Sequence, residues 1–185
     1  MVATMDTKDK TINVMNIPRD TMCNNTATGA SKKINAAYGM DTGGKGGNIE
    51  QTSKEIERLM GFRPDKYVIV NFDGIAAIVD AIGGVDYDVP FDMKYDDPSQ
   101  NLHIDLKKGQ QHLDGKQTVG FLRWRHNNDY TVQYTNGDEG RVENQQKFLK
   151  ALAGQVLQIK NVTKIRSIAE AVFKNVKTDF SAGEL

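Results

Sequence analysis

The stretch YVIVNFDGIAAIVDAIGGVDYDV, from Tyr67 to Val89, decides the fold class. Tyr67 to Phe72 is rich in β-branched and aromatic residues with few polar interruptions, the composition of a strand covered on both faces. Ile75, Ile78, Val79 and Ile82 then recur at helical spacing, which places them on one side of a helix. Gly83 and Gly84 close that helix, and Val85 to Val89 reads as the next strand. Strand, helix and strand in succession mark a layered α/β domain, and a parallel crossover is expected there.

Working outward toward the N-terminus, Thr11 to Ile17 runs apolar through Ile12 and Val14 and stops at Pro18, which has no amide hydrogen to donate. Arg19 therefore sits just past a strand end. Ser31 can cap a short helix through Ala36, Ala37 and Tyr38, and Gly39 to Gly47 is too rich in glycine to prolong it. Asn48 caps a second helix with an apolar face at Ile56, Leu59 and Met60, and Gly61 suits the left-handed turn that ends it.

Toward the C-terminus, Pro90 to Gly115 is polar and turn-rich, with a short strand at Leu102 to Leu106. Asp114 caps a helix reaching Trp124, and Asn127 to Gly137 is a polar loop. Val142, Gln145, Leu149, Leu152, Val156 and Ile159 recur in steps of three and four, one buried stripe on a long helix. A last helix spans Lys164 to Val176, and there is no internal repeat, low-complexity tract or linker.

A chain of 185 residues suits a single domain, here taken as residues 1–185. Lys plus Arg and Asp plus Glu both total 24, so no global field draws the protein to nucleic acid or to anionic lipid. Any anion site must be local. Cys23 is the only cysteine, which excludes an internal disulfide and gives no zinc spacing. No apolar run is long enough to span a membrane, and Met1 to Val14 lacks the core of a secretory signal. Taken literally, this is a soluble cytoplasmic chain, a reading that fails if the sequence is a piece of a longer protein.

The arginines fall at element ends: Arg19 follows a strand, Arg123 and Arg125 close a helix, and Arg141 opens one. Guanidinium groups are planar forks that pair bidentately with phosphate oxygens, and four of them near loop junctions can encircle a pyrophosphate. Singly, each has a plainer account; Arg123 near a helix C-terminus complements the macrodipole. Arg141 resists that account, since cations are disfavoured in a first helical turn, and Lys33 sits similarly early in its helix. Gln145 lies in the apolar stripe and so points inward, where its amide either bonds neighbouring backbone or lines a polar pocket with Arg141.

Other candidates are weaker. In Gly43-Gly44-Lys45-Gly46-Gly47 the lysine is followed by glycine where a phosphate-binding loop needs Ser or Thr. Asp86, Asp88, Asp92, Asp96 and Asp97 lack calcium-loop spacing. His103, His112 and His126 lack metal-ligand spacing, and no Gly-x-Ser-x-Gly nucleophile is present. Trp124, between two arginines, either stacks on a ligand or belongs to the core.

Ile17-Pro18-Arg19-Asp20-Thr21, Lys33-Ile34-Asn35-Ala36-Ala37-Tyr38, Val79-Asp80-Ala81-Ile82-Gly83-Gly84-Val85, Leu113-Asp114-Gly115, Arg123-Trp124-Arg125 and Asp138-x-x-Arg141-x-x-x-Gln145-Gln146 follow one another along nearly the whole chain. In that order and spacing they resemble the signatures of the LytR-CpsA-Psr family. The resemblance implies a three-layer α/β/α sandwich with a central mixed sheet and an apolar lipid pocket. It also implies that Arg19, Arg123, Arg125 and Arg141 act as catalytic cations, with Gln145, Lys33 and Asp138 binding substrate. The implied reaction is phosphotransfer from a polyprenyl-pyrophosphate glycopolymer donor, of teichoic acid or capsular type, to a peptidoglycan acceptor, assisted by magnesium. The complete protein would be membrane anchored, on the extracellular face of the bacterial cytoplasmic membrane.

Departures from the family pattern qualify that expectation. Asn144 stands where members usually carry a further arginine, and the loop between Arg125 and Arg141 is longer than usual. Met1-Val2-Ala3-Thr4-Met5 resembles the strand that follows the magnesium-binding aspartates, and Phe180 to Leu185 resembles a helix cut short. The expectation is therefore a fragment that binds anionic lipid headgroups weakly and catalyses poorly or not at all. The alternatives are a polyprenyl-pyrophosphate-binding regulatory module, for which Asn144 is the hint, and a pyrophosphatase of the cell envelope.

Overall fold

The computed structural model describes residues 1–9, 11–23, 33–39, 48–156, 158 and 165–181. The chain comprises two compact units, Met1–Tyr67 with Phe180–Leu185, and Val68–Asp179.

In the first unit β1 (Val2–Asp6) and β2 (Thr11–Met15) form an antiparallel hairpin in which Val2 faces Met15 and Asp6 faces Thr11. The Asp6 carboxylate accepts from the amides of Lys8 and Asp9 at 2.8 and 3.0 Å, fixing the reversal. Those two bonds hold its carboxyl below the ordinary aspartate range. β2 ends before Pro18, as expected. Two helices follow, α1 (Ile34–Gly39) and α2 (Ile49–Met60). The Asn48 side chain accepts from Gln51 N at 2.9 Å, and Gly61 leaves α2 at φ 78, a conformation that costs a residue with a Cβ more than glycine.

The face expected for α2 is corrected by the structure. Leu59 is exposed, and the buried residue is Glu55, held by Gln51 Nε2 at 2.9 Å and Arg58 Nη1 at 2.7 Å. Periodicity gives a helix its phase only when apolar residues outvote the rest, and here hydrogen bonds turn an acid inward. Ser31 and residues 40–47, with the glycine run, lie outside the described residues.

The second unit begins β3 (Val68–Val70), α3 (Phe72–Ile82) and β4 (Val85–Val89), in the order the opening stretch predicts. The pairing differs from the expectation. β3 pairs antiparallel with β8 (Val176–Thr178), β4 with β7 (Gly109–Leu113), and β5 (Met93–Asp97) with β6 (Leu102–Leu106). Every ladder among the described residues is antiparallel and two-stranded, so no parallel crossover forms there. A strand–helix–strand order says only that a helix intervenes, and each strand here takes a partner from farther along the chain. β3 is also not covered on both faces, Val68 being 57% exposed.

Pro90 to Gly115, read as turns around one strand, carries β5 and β7 besides β6. The signal was period-two alternation: Met93 is buried and Tyr95 half-buried, while Lys94 and Asp96 face outward. The remaining helices are α4 (Gly115–Arg123), α5 (Gly137–Val156) and α6 (Ile165–Asn175). On α5 the buried residues are Asn144, Phe148 and Leu152, a seam rotated from the stripe read in the sequence, whose Val142, Gln145, Leu149 and Val156 are half-buried. Phe148 and Phe121 meet the ring of Tyr87 edge-on at 5.2 and 5.0 Å, and with Val79, Val85, Val89 and Trp124 they form the core. Ile159 and Lys164 lie outside the described residues.

Candidate functional site

Leu113-Asp114-Gly115 is a helix start. The Asp114 carboxylate accepts from Gln117 N at 2.7 Å, and Gln117 Oε1 accepts from Asp114 N at 3.0 Å, a closed capping box. Gly115 N also donates to Asp80 Oδ1 at 2.8 Å, which joins this segment to α3. The two helices approach so closely that a Cβ at position 115 would lie 2.5 Å from the Ala76 carbonyl, so only glycine fits.

The other end of α4 carries the arginines. Trp124 turns extended there and is buried against Phe91 and Tyr134, its Nε1 donating to Asn127 Oδ1 at 3.2 Å. Trp124 is thus core, and as an anchor it sets where its neighbours emerge. Arg123 Nη2 donates to Gln100 Oε1 at 2.6 Å, and among the described residues no acid is paired with it. Arg125 is exposed, and among the described residues none pairs with it.

Gln145 Nε2 donates to the Leu122 carbonyl at 2.7 Å. That carbonyl lies in the last turn of α4, where helical carbonyls lack an intrahelical partner. Of the two roles open to this amide, it takes the backbone bond, and the backbone is that of the residue before Arg123. One bond thus ties α5 to the turn bearing Arg123 and Arg125.

Arg141 does not open its helix. α5 begins at Gly137, a turn earlier, with Asp138 and Glu139 in the first turn where the macrodipole favours acids. Arg141 Nη2 lies 2.5 Å from Asp138 Oδ1, and its side chain is only 13% exposed. Nearby, Asn144 Nδ2 donates to the Tyr134 hydroxyl at 2.7 Å, and Tyr87 OH donates to Asn144 Oδ1 at 3.3 Å. Burial pushes the Tyr134 hydroxyl up to about 12, against the pull of the Asn144 bond and the Arg141 charge. Asn144 is therefore a buried link between two tyrosines. Gln100, Tyr134 and this link carried no motif in the sequence.

The remaining predicted residues lie in the first unit. Thr21 N donates to Pro18 O at 3.0 Å, while Arg19 O and Thr21 O accept from Asn35 N and Ile34 N at 3.2 and 2.9 Å, so the turn caps the start of α1. Asp20 Oδ1 stands between Lys33 Nζ at 3.1 Å and Arg19 Nε at 3.8 Å, all three at the surface. Lys33 precedes α1 rather than sitting within it.

Among the described residues no group of three His, Cys, Asp or Glu side chains is arranged to hold a metal, and no helix is long and apolar enough to cross a membrane. His112 and His103 instead bond Asp86 and Asp96, at 2.6 and 2.9 Å.

The LytR_cpsA_psr family model matches residues 1–185. The chain is 37% identical over 187 residues to the polyisoprenyl-teichoic acid–peptidoglycan teichoic acid transferase TagV of Bacillus subtilis, covering 100% of this chain and 45% of that protein. It is 31% identical over 180 residues to the corresponding TagU of Halalkalibacterium halodurans, with coverages of 97% and 53%. The crystal structure of B. subtilis TagV aligns at TM-score 0.75 and 36% identity over 98% of this chain and 65% of that one. A LytR-Csp2A-Psr enzyme from Actinomyces oris aligns at TM-score 0.74 and 18% identity, a likeness of fold alone, over 98% and 65%. The chain thus spans about half the length of the curated relatives it matches.

Proposed function

The chain belongs to the LytR_cpsA_psr family, and on that premise we propose that it is the catalytic part of a phosphotransferase moving a polyprenyl-pyrophosphate-linked glycopolymer, of teichoic acid or capsular type, onto peptidoglycan. The observation that carries this reading is the Gln145 bond to Leu122 O, which holds the helix of Arg141 against the turn of Arg123 and Arg125. Guanidinium groups fixed at such a junction suit a pyrophosphate, whose charge grows on the leaving side as the bond breaks. A wall hydroxyl attacks the sugar-side phosphorus, the bond to the lipid phosphate breaks, and the hydroxyl proton passes to solvent. Arg19 and Lys33 are proposed as phosphate-binding cations of the first unit, and Asp138 orients Arg141.

Magnesium, which the family resemblance implies for the complete domain, finds no ligand set among the described residues, and Asp20 is engaged by Lys33 and Arg19. We place the complete protein at the extracellular face of the cytoplasmic membrane, anchored there, because lipid carrier and wall acceptor meet at that surface. Asn144, which stands where members usually carry an arginine, bonds the hydroxyls of Tyr134 and Tyr87.

Calorimetry with geranylgeranyl pyrophosphate tests the binding. Arg141→Ala is expected to weaken it by about ten- to a hundredfold, the loss of a hydrogen bond to a charged group. In the complete protein, labelled donor should pass its polymer to purified peptidoglycan and release polyprenyl phosphate. Release without acceptor would instead indicate a pyrophosphatase, and binding without release a regulatory module.

A further inference from the structure

The loop after Arg125 holds an arrangement that pyrophosphate binding leaves unused. Asn127 and Asn128 lie along β5 and take the place of a neighbouring strand. Lys94 N and Asp96 N donate to their side-chain oxygens, each at 2.7 Å, while Asn128 Nδ2 and Asn127 Nδ2 donate to the carbonyls of Asp96 and Asp92 at 3.0 and 3.3 Å. Side-chain amides thus satisfy a strand edge and pin the loop to a rigid element. Beyond them Tyr130 N donates to Asn127 O at 3.0 Å, and Asp129 Oδ1 accepts from Thr131 N and Oγ1 at 3.0 and 2.8 Å.

This bracing holds Tyr130 at φ 58, a left-handed conformation that a bulky residue rarely adopts. Its ring stacks on His126 with centroids 4.1 Å apart and planes 18° apart, and His126 in turn meets Tyr95 edge-on at 5.7 Å. His126 Nδ1 donates to Asn127 O at 2.8 Å, which sets the imidazole plane. Tyr130 is nevertheless 63% exposed, so burial does not account for a strained backbone and a backed ring. Strain that the fold enforces without burial is characteristic of binding sites.

We propose that Tyr130, backed by His126, is a stacking subsite for a pyranose ring on the loop that follows Arg125. The apolar face of a sugar lies flat on an aromatic ring, and its hydroxyls need polar groups nearby; Asp129 and Thr131, the exposed neighbours of Tyr130 in the chain, are of that kind. A prenyl chain would instead need an apolar groove. The inference rests on the phosphotransferase reading, which brings two sugars to this region: the one esterified to the donor pyrophosphate and those of the acceptor glycan.

The test titrates the chain with three probes: geranyl pyrophosphate, geranyl-pyrophosphoryl-N-acetylglucosamine for the donor sugar, and chitotetraose for the acceptor glycan. Tyr130→Ala is expected to weaken at least one sugar probe about tenfold and leave geranyl pyrophosphate unchanged, while Tyr130→Phe binds like the parent. The probe that responds identifies the source of the sugar. The subsite is overturned if Tyr130→Ala leaves both sugar probes unchanged, or if it weakens all probes equally. Loss of geranyl pyrophosphate binding in the parent would sink the phosphotransferase reading separately.

Discussion

Arg141 is 13% exposed, meets Asp138 at 2.5 Å, and lies near the hydrogen-bonded chain of buried Tyr134 and Asn144 and half-buried Tyr87. Arg19 is 66% exposed and meets Asp20 at 3.8 Å, with Lys33 on the other side of the same carboxylate. Both are candidate phosphate cations, yet different forces hold them. In the second unit, hydrogen bonds rooted in the core position the helix that carries the charge. In the first, surface ion pairs do so, and such pairs contribute roughly 0–1 kcal/mol because water and salt screen them. A cation's placement is therefore decided less by its counter-ion than by what packs behind it.

The comparison breaks most visibly at the core. Phe148→Ala should cost about 3–5 kcal/mol in urea unfolding, since it empties the space between Tyr87 and Phe121, and should abolish pyrophosphate binding with it. Asn144→Leu leaves the Tyr134 and Tyr87 hydroxyls without their partner, for an expected loss of about 1–3 kcal/mol. A loss near zero would show that the tyrosine network does not position Arg141.

Burial of the Tyr134 hydroxyl makes stability fall at alkaline pH. Tyr134 titrates near 12 in the folded protein against an ordinary value of 10.0, so between these values the unfolded chain releases a proton that the folded one keeps. Its contribution is complete below pH 10 and is lost as the pH approaches 12. Unfolding measured across that range should show a steeper decline for the parent than for Tyr134→Phe. The smallest effect is expected from Asp20→Asn, under about 0.5 kcal/mol and vanishing in high salt, because its partners are surface cations.

The positions of Arg123 and Arg125 at the end of α4 were legible because element ends can be read from local signals. Their supports were not. Gln100, which Arg123 meets, sits in a turn with no pattern of its own, and Asn144 looked like a missing arginine rather than a link between tyrosines. Arg141 seemed to violate the macrodipole only because the start of α5 at Gly137 carries no strong cap.

The caps at Asn48 and Asp114, the stop at Gly61, the strand–helix–strand order from Val68 to Val89, and the family motifs all follow from residues within a turn or two of one another. Neighbours that close are bound by chain geometry whatever the rest of the molecule does, so they can be read directly. The antiparallel partners of β3 and β4, the inward turn of Glu55, the rotation of α5 that buries Asn144 and Phe148, and the stacking of Tyr130 on His126 were settled by tertiary structure. A strand edge or a helix face takes whichever surface the folded chain brings to it, and short-range spacing carries no record of that choice.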